Sequence, residues 1–83
     1  MKLLYFAWLR QKIGKAEEDL DVPADVKEVG QLLDWLETRG PNYATALKER
    51  KAVKVAVNQD YVGLGHPVKA GDEVALFPPV TGG

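Results

Sequence analysis

The chain has 83 residues, which is enough for one small domain and leaves no room for a second hydrophobic core. Eleven basic and twelve acidic residues give a formal charge of −1 at pH 7, which argues against nucleic acid as a partner. Cysteine is absent and His66 is the single histidine, so cysteine-based metal sites, thiolate nucleophiles and His-pair metal motifs are excluded. A domain of this size seldom encloses a pocket of about 300 Å³, which argues against a self-contained enzyme.

The N-terminal segment is predicted to be a buried strand over residues 2–8, because it is rich in aromatic and aliphatic side chains. Its apolar run is bounded by charged residues, contains no small-residue cleavage site and is too short to span a bilayer. We therefore expect a cytoplasmic protein with no membrane contact. Leu9 and Ile13, followed by Gly14, predict a short helix that ends at the glycine.

A second, half-exposed strand is predicted over residues 18–22, where Glu18, Leu20 and Val22 alternate with Asp19 and Asp21. The acidic cluster could be mistaken for a general acid–base pair, but the alternation favours the solvent-facing side of a strand. The residues of this cluster are Glu17, Glu18, Asp19 and Asp21.

The clearest predicted helix starts near Asp25 and Glu28, whose spacing fits a capping box, and it carries an apolar stripe of helical period. The stripe consists of Val29, Leu32, Leu33 and Leu36. Gly40 ends this helix, and Pro41 starts a second one. The inward-facing residues of the second helix are Tyr43, Ala46 and Leu47. The basic run over residues 48–51 is expected in its last turn, where positive charge is favourable.

Three short strands are predicted to complete the domain, over residues 53–57, 61–62 and 73–77, with a turn at 58–60 between the first two. His66 precedes a proline in an irregular segment and is interpreted as a turn residue rather than a ligand. An amphipathic helix across one face of a mixed sheet buries both apolar surfaces. The predicted fold class is therefore α+β, a β-grasp mixed sheet packed by one main helix.

A domain of residues 1–77 is predicted to carry an extended, flexible C-terminal tail of residues 78–83. Pro78 removes a ladder donor and holds Phe77 out of the helical region, so the last strand must end there. Pro79 continues a stiff extended segment, and the tail could reach about 20 Å from the domain.

The tip of the tail is predicted to be slender, because Gly82 and Gly83 present backbone without side chains. Such a tip can enter an enzyme channel that any Cβ would block, bringing the terminal carboxylate to a catalytic site in another protein. Exposing Phe77 and Val80 on a stub without a role would only promote association. The tail is therefore interpreted as functional.

Four segments carry a resemblance to a known family: Ala56–Gln59, His66–Val68, Gly71–Val74 and Phe77–Gly83. The last reads Phe-Pro-Pro-Val-Thr-Gly-Gly and is highly specific, whereas a terminal Gly-Gly alone is shared by many β-grasp carriers and modifiers. Over nearly its whole length the chain resembles the small subunits of molybdopterin synthase, which are ubiquitin-like sulfur carriers.

The resemblance implies that an adenylyltransferase, similar to the enzymes that activate ubiquitin, uses ATP to adenylate the carboxylate of Gly83. A sulfur donor protein then converts it to a thiocarboxylate. The tail inserts into the large subunit of molybdopterin synthase, where sulfur passes to cyclic pyranopterin monophosphate to build the molybdopterin dithiolene. The resemblance assigns clearance to Gly82 and anchoring of the docked surface to Phe77. The residues that would line the insertion groove are Pro78, Pro79, Val80 and Thr81.

The same resemblance implies that the carrier binds no cofactor or metal and that the catalytic residues belong to the large subunit. Three other functions remain open at this stage. The chain could be a sulfur carrier for thiamine or tRNA thiolation, a protein modifier joined to lysines through Gly83, or a binding domain whose tail is only a docking peptide.

Overall fold

The structure, a computed structural model, describes residues 1–79; the predicted tail residues 80–83 lie outside the described residues. The strands are β1 (Lys2–Tyr5), β2 (Glu17–Asp19), β3 (Lys54–Val57), β4 (Asp60–Val62) and β5 (Glu73–Phe77). The helices are α1 (Ala7–Ile13), α2 (Val29–Glu37) and α3 (Pro41–Leu47), and a 3₁₀ turn covers Arg50–Ala52. The predicted order of elements is confirmed.

The five strands form one mixed sheet in the order β2-β1-β5-β3-β4. The central pair, β1 and β5, is parallel, with Leu3 opposite Val74, and the other pairs are antiparallel. One face of the sheet packs on the helices around a core that includes all four residues of the predicted α2 stripe. This mixed sheet with helices on one face confirms the predicted β-grasp architecture.

The first strand is shorter than predicted. It ends at Tyr5; the Phe6 amide donates to the Leu76 carbonyl at 3.1 Å, and α1 begins at Ala7, where the backbone has φ 54°. Trp8 is therefore helical, and the prediction of a strand over residues 2–8 was wrong for its last three residues. Apolar content alone does not separate strand from helix in so short a run. The predicted end of α1 is confirmed, because Gly14 adopts the left-handed conformation with φ 94°.

The predicted capping box at Asp25 and Glu28 was wrong. Glu28 is itself the N-cap of α2, and Gln31 is its partner, accepting from the Glu28 amide at 3.1 Å. The loop before β5 caps the helix as well: the amides of Val29 and Gly30 donate to loop carbonyls at 2.9 and 2.8 Å. These long-range acceptors fix where α2 begins, which local spacing does not reveal.

The basic run does not lie in the last turn of α3, because that helix ends at Leu47. Arg50 falls in the following 3₁₀ turn and points back to α2, where its guanidinium contacts Glu37 and lies 2.6 Å from Asp34. The predicted bounds of the helix were wrong, but Arg50 also donates to the carbonyl of Leu47, the last residue of α3, so one side chain of the basic run does complete the helix C-terminus.

The second strand is shorter than predicted, because β2 ends at Asp19 rather than at Val22, and the acidic cluster is only partly its solvent-facing side. Glu17 and Asp19 are exposed as predicted, but Glu18 is half-buried and accepts hydrogen bonds from the hydroxyls of Tyr5 and Tyr43. Its role is structural, since the carboxylate joins three elements. Within residues 1–79, no helix combines the length and the apolar character that crossing a membrane requires.

Candidate functional site at the tail exit

The tail leaves the domain from the central region of the sheet. Phe77 is the last residue of β5, which pairs with β1 on one side and β3 on the other. Pro78 and Pro79 follow outside the strand, the first half-buried and the second exposed. Because neighbouring strands hold β5 on both sides, the direction in which the chain leaves the sheet is fixed by the fold.

The surface of the sheet opposite the helices carries an apolar patch that residues 1–79 leave partly exposed. We call it the outer face; its residues are Leu4, Phe6, Ala56, Tyr61, Ala75 and Phe77. Strand pairing places four of them in a row, with Leu4 opposite Ala75, Ala75 opposite Ala56, and Ala56 opposite Tyr61. Opposite residues in paired strands point to the same side, so the row forms one continuous surface.

Two aromatic side chains of the outer face are exposed to solvent. Tyr61 is 81% exposed and Phe6 is 48% exposed. The Tyr61 ring lies against Phe77, with the ring centroids 5.5 Å apart and the planes tilted by 46°. A group of exposed aromatic side chains on a small domain marks an interaction surface.

A tight hairpin sets the position of Tyr61. Asn58 and Gln59 have φ values of 51° and 74°, which are the positive angles of a two-residue hairpin turn. The Asn58 side chain also accepts from the Glu73 amide at 3.0 Å and donates to Asp72 at 3.1 Å. The turn is thereby tied to the start of β5, so the strand that carries the tail and the strand that carries Tyr61 are held together.

The sequence prediction located part of this site and missed part of it. Phe77, Pro78 and Pro79 lie at the tail exit, whereas the predicted site residues Val80, Thr81, Gly82 and Gly83 are outside the described residues. Sequence reasoning did not find Phe6 and Tyr61. The available signal was the two-residue spacing of Leu4 and Phe6 within the predicted first strand, which places both side chains on the same face.

No metal centre is formed by the part of the chain that the structure describes: residues 1–79 contain no group of three or more His, Asp or Glu side chains that could hold an ion. A depression of about 220 Å³ lies beside the tail exit, lined by Lys54, Val55, Tyr61, Val62 and Phe77. It is shallow and largely apolar, which suits contact with another protein better than catalysis.

A β-grasp sheet with an apolar outer face and a proline-stiffened exit from its central strand defines a ubiquitin-like domain. The chain belongs to the ThiS family, whose model matches residues 3–83. The family and the fold expected from the sequence are both confirmed.

Named relatives extend this assignment over the full length. The molybdopterin synthase sulfur carrier subunit of Escherichia coli is 41% identical over 83 residues, covering 100% of this chain and 99% of the relative. The human protein of the same name is 37% identical over 86 residues, covering 100% of this chain and 93% of the relative. The crystal structure of small archaeal modifier protein 1 from Haloferax volcanii matches with a TM-score of 0.75 and 35% identity, covering 100% and 98% of the two chains.

Proposed function

We propose that this chain is the sulfur carrier subunit of a molybdopterin synthase. The observation that carries the proposal is a combination: full-length similarity to sulfur carrier subunits of that enzyme, and a Phe-Pro-Pro-Val-Thr-Gly-Gly sequence that begins at the last residue of the central strand, beside an exposed apolar face. In this function residues 1–77 are the folded domain and residues 78–83 are the part that enters the partner.

The reactive group is the carboxylate of Gly83. A terminal carboxyl group has a pKa of about 3.5 and is an unreactive anion at neutral pH, so it must be activated. An adenylyltransferase joins it to the AMP of ATP and releases pyrophosphate. A sulfur donor protein then supplies sulfide sulfur, AMP leaves, and a thiocarboxylate remains on Gly83. ATP and both enzymes act on the carrier during loading, in the cytoplasm, and none of them is a resident part of it.

The geometry of the exit supports insertion of the tail into a partner. Phe77 pairs with Lys54 of β3 at the end of the central strand, and the rings of Pro78 and Pro79 restrict the backbone where the tail begins. Six residues from Pro78 span about 20 Å when extended, enough to reach an active site below a partner's surface. Gly82 lets the backbone pass a constriction, and Thr81 and Val80 contact its walls.

The outer face supports docking onto the large subunit. Tyr61 and Phe6 expose aromatic surface next to the strand that delivers the tail, and Phe77 joins the two regions. Docking of this face against an apolar partner surface orients the tail before its end reaches the catalytic residues of the large subunit. There the thiocarboxylate sulfur is transferred to cyclic pyranopterin monophosphate.

Intact mass spectrometry tests this function. The protein is purified from cells that also supply the adenylyltransferase and a sulfur source, and the C-terminal peptide is analysed. We expect a species heavier by the difference between sulfur and oxygen, located at Gly83, which converts the pterin precursor to molybdopterin when the large subunit is added. An unmodified mass alone, in the presence of an adenylyltransferase shown to be active, would contradict the proposal.

A second candidate function is protein modification, in which Gly83 forms an isopeptide bond with lysines of other proteins. It is favoured by the similarity to small archaeal modifier protein 1 of Haloferax volcanii, at 36% identity over 92 residues. Cell extracts separate the two functions, because a modifier gives a ladder of conjugates above its own mass. A carrier devoted to sulfur transfer gives a single band.

A further inference from the structure

Lys54 is the charged residue next to the tail exit on the side of the outer face. It is exposed and lies directly opposite Phe77 in the pairing of β3 with β5. Lys2, on the same side of the sheet but at its other end, has its Nζ 3.2 Å from a Glu17 carboxylate oxygen. Among the ion pairs formed within residues 1–79, none includes Lys54.

Two adjoining depressions meet at Lys54. One is the depression of about 220 Å³ that contains Tyr61 and Phe77, and the other, of about 230 Å³, extends past Lys51 to Leu64. Both have apolar walls from the β3–β4 pair, and no Asp or Glu is found among their lining residues in the described part of the chain. The margin of the outer face is therefore apolar and cationic.

Arg50 also lines the second depression, but its charge is already compensated. Its guanidinium lies 2.6 Å from Asp34 and contacts Glu37, both on α2. Lys51 and Lys54 form no such contact with carboxylates of residues 1–79. The positive charge available to a partner at this margin thus belongs to the two lysines.

We propose that Lys54, together with Lys51 in the adjoining depression, forms a cationic rim that pairs with carboxylates on the large subunit. The inference rests on the proposed function and names the chemistry of the partner: an apolar patch that covers Tyr61 and Phe77, bordered by acidic side chains. Apolar contact supplies most of the affinity, while complementary charges at a rim speed association and fix orientation. A carboxylate against Lys54 determines how Phe77, and with it the tail, is placed on the partner.

Association kinetics with the large subunit test the rim. We expect Lys54→Glu to slow association about tenfold at low ionic strength, because the rim then repels the acidic border. The difference should shrink at about 1 M salt, where the screening length falls to about 3 Å. Lys12→Glu is the matched control: it makes the same charge change at an exposed position on α1, away from the sheet, and should associate at the wild-type rate.

The outcomes separate this inference from the function on which it rests. Equal association rates for Lys54→Glu and Lys12→Glu would overturn the proposed rim. If Lys54→Glu does not fold, two other single variants serve: wild-type association rates for both Lys51→Glu and Lys54→Met would overturn the rim. A slower adenylation of Lys54→Glu with unchanged binding to the large subunit would also overturn it, because the lysine would then face the activating enzyme. Failure of the folded wild-type protein to bind the large subunit would instead refute the proposed function.

Discussion

The hydroxyl of Tyr43, on α3, lies 2.7 Å from Oε2 of Glu18, on β2. The Tyr5 hydroxyl, on β1, donates to the same oxygen at 2.7 Å. The other carboxylate oxygen has Lys15 Nζ at 3.3 Å and an Arg39 nitrogen at 3.6 Å. Glu18 therefore connects the edge of the sheet to the helical layer on the side of the domain away from β4.

We expect Glu18→Gln to lower the free energy of unfolding at pH 7 by about 1–3 kcal/mol, because a charged acceptor shared by two tyrosines is lost. Burial acts to raise the pKa of Glu18, but hydrogen bonds from Tyr43, Tyr5 and Lys15 outweigh it, so the pKa is lowered. Because the pKa is lowered by folding, the stability from this carboxylate is fully present above the pKa of the unfolded state, about 4.3. It is lost as the pH falls through the pKa of Glu18 in the folded state.

Urea unfolding at pH 7 and pH 3 measures this effect. The difference between wild type and Glu18→Gln should be largest at pH 7 and should shrink towards pH 3, because protonation of the carboxylate, first in the unfolded state and then in the folded state, removes the contribution of the charge. Asp21→Asn, an exposed acid-to-amide change nearby, should alter stability by no more than about 0.5 kcal/mol at pH 7. An equal loss for Glu18→Gln at both pH values would contradict the assigned role of the charge.

A second prediction contrasts two glycines. Gly30 lies in the first turn of α2, and a Cβ there would meet the Leu64 carbonyl oxygen at 3.4 Å and the Leu64 Cβ at 3.7 Å, which is ordinary contact. Gly30→Ala should therefore raise the free energy of unfolding by about 0.5–1 kcal/mol through helix propensity. Gly14 has no atom within 4 Å of a built Cβ but has φ 94°, so Gly14→Ala should lower stability by about 1 kcal/mol.

Thermal and urea unfolding of the two alanine variants show whether each glycine is required because a Cβ would clash or because the backbone adopts a positive φ. Destabilisation by Gly30→Ala would mean that the contact with the Leu64 segment is tighter than its distances indicate. Stability of Gly14→Ala equal to wild type would mean that the chain leaves α1 by another route.

The elements that the sequence predicted well are those whose signals are local. The apolar stripe of α2 repeats with helical period, and Pro41 marks the start of α3. The residues around Asn58 indicate a turn between two strands. The tail exit was also predictable, because Pro78 cannot continue a strand ladder. Each of these features depends on neighbours only a few residues away.

The features that the sequence did not reveal depend on distant pairing. Tyr61 occupies a strand of three residues, and only its position opposite Ala56 determines which face of the sheet it joins. The sequence predicts Glu18 to be a solvent-exposed strand residue, because Tyr43, which donates a hydrogen bond to it, is 25 positions away in the chain. The start of α2 was misplaced because the carbonyl that accepts from Gly30 belongs to Leu64.

The outer face gives a third prediction, that Tyr61 contributes to partner binding rather than to folding. Its side chain is 81% exposed, so Tyr61→Ser should change the free energy of unfolding by no more than about 0.5 kcal/mol. Loss of an aromatic anchor at an interface costs about 2 kcal/mol, so affinity for the large subunit should fall roughly 30-fold. Isothermal titration calorimetry measures it, with Tyr61→Phe as a control that keeps the ring and should bind close to wild type. Wild-type affinity for Tyr61→Ser would exclude Tyr61 from the docking surface.

The last prediction concerns the tip of the tail, where Gly82 is expected to pass a constriction in the partner. A branched side chain at this position should displace the end of the chain from the reacting centre, and misplacement by about 1 Å can cost about a hundredfold in rate. We expect Gly82→Val to lower the rate of sulfur transfer by at least that factor while the domain unfolds at the wild-type temperature.

A single-turnover assay measures sulfur transfer without the loading step. In this assay, carriers synthesised with the thiocarboxylate already present are mixed with the large subunit and the pterin precursor. Lys12→Val, which introduces the same side chain at an exposed position on α1, is the control and should transfer sulfur at close to the normal rate. A normal rate for Gly82→Val would show that the tail does not enter a narrow channel.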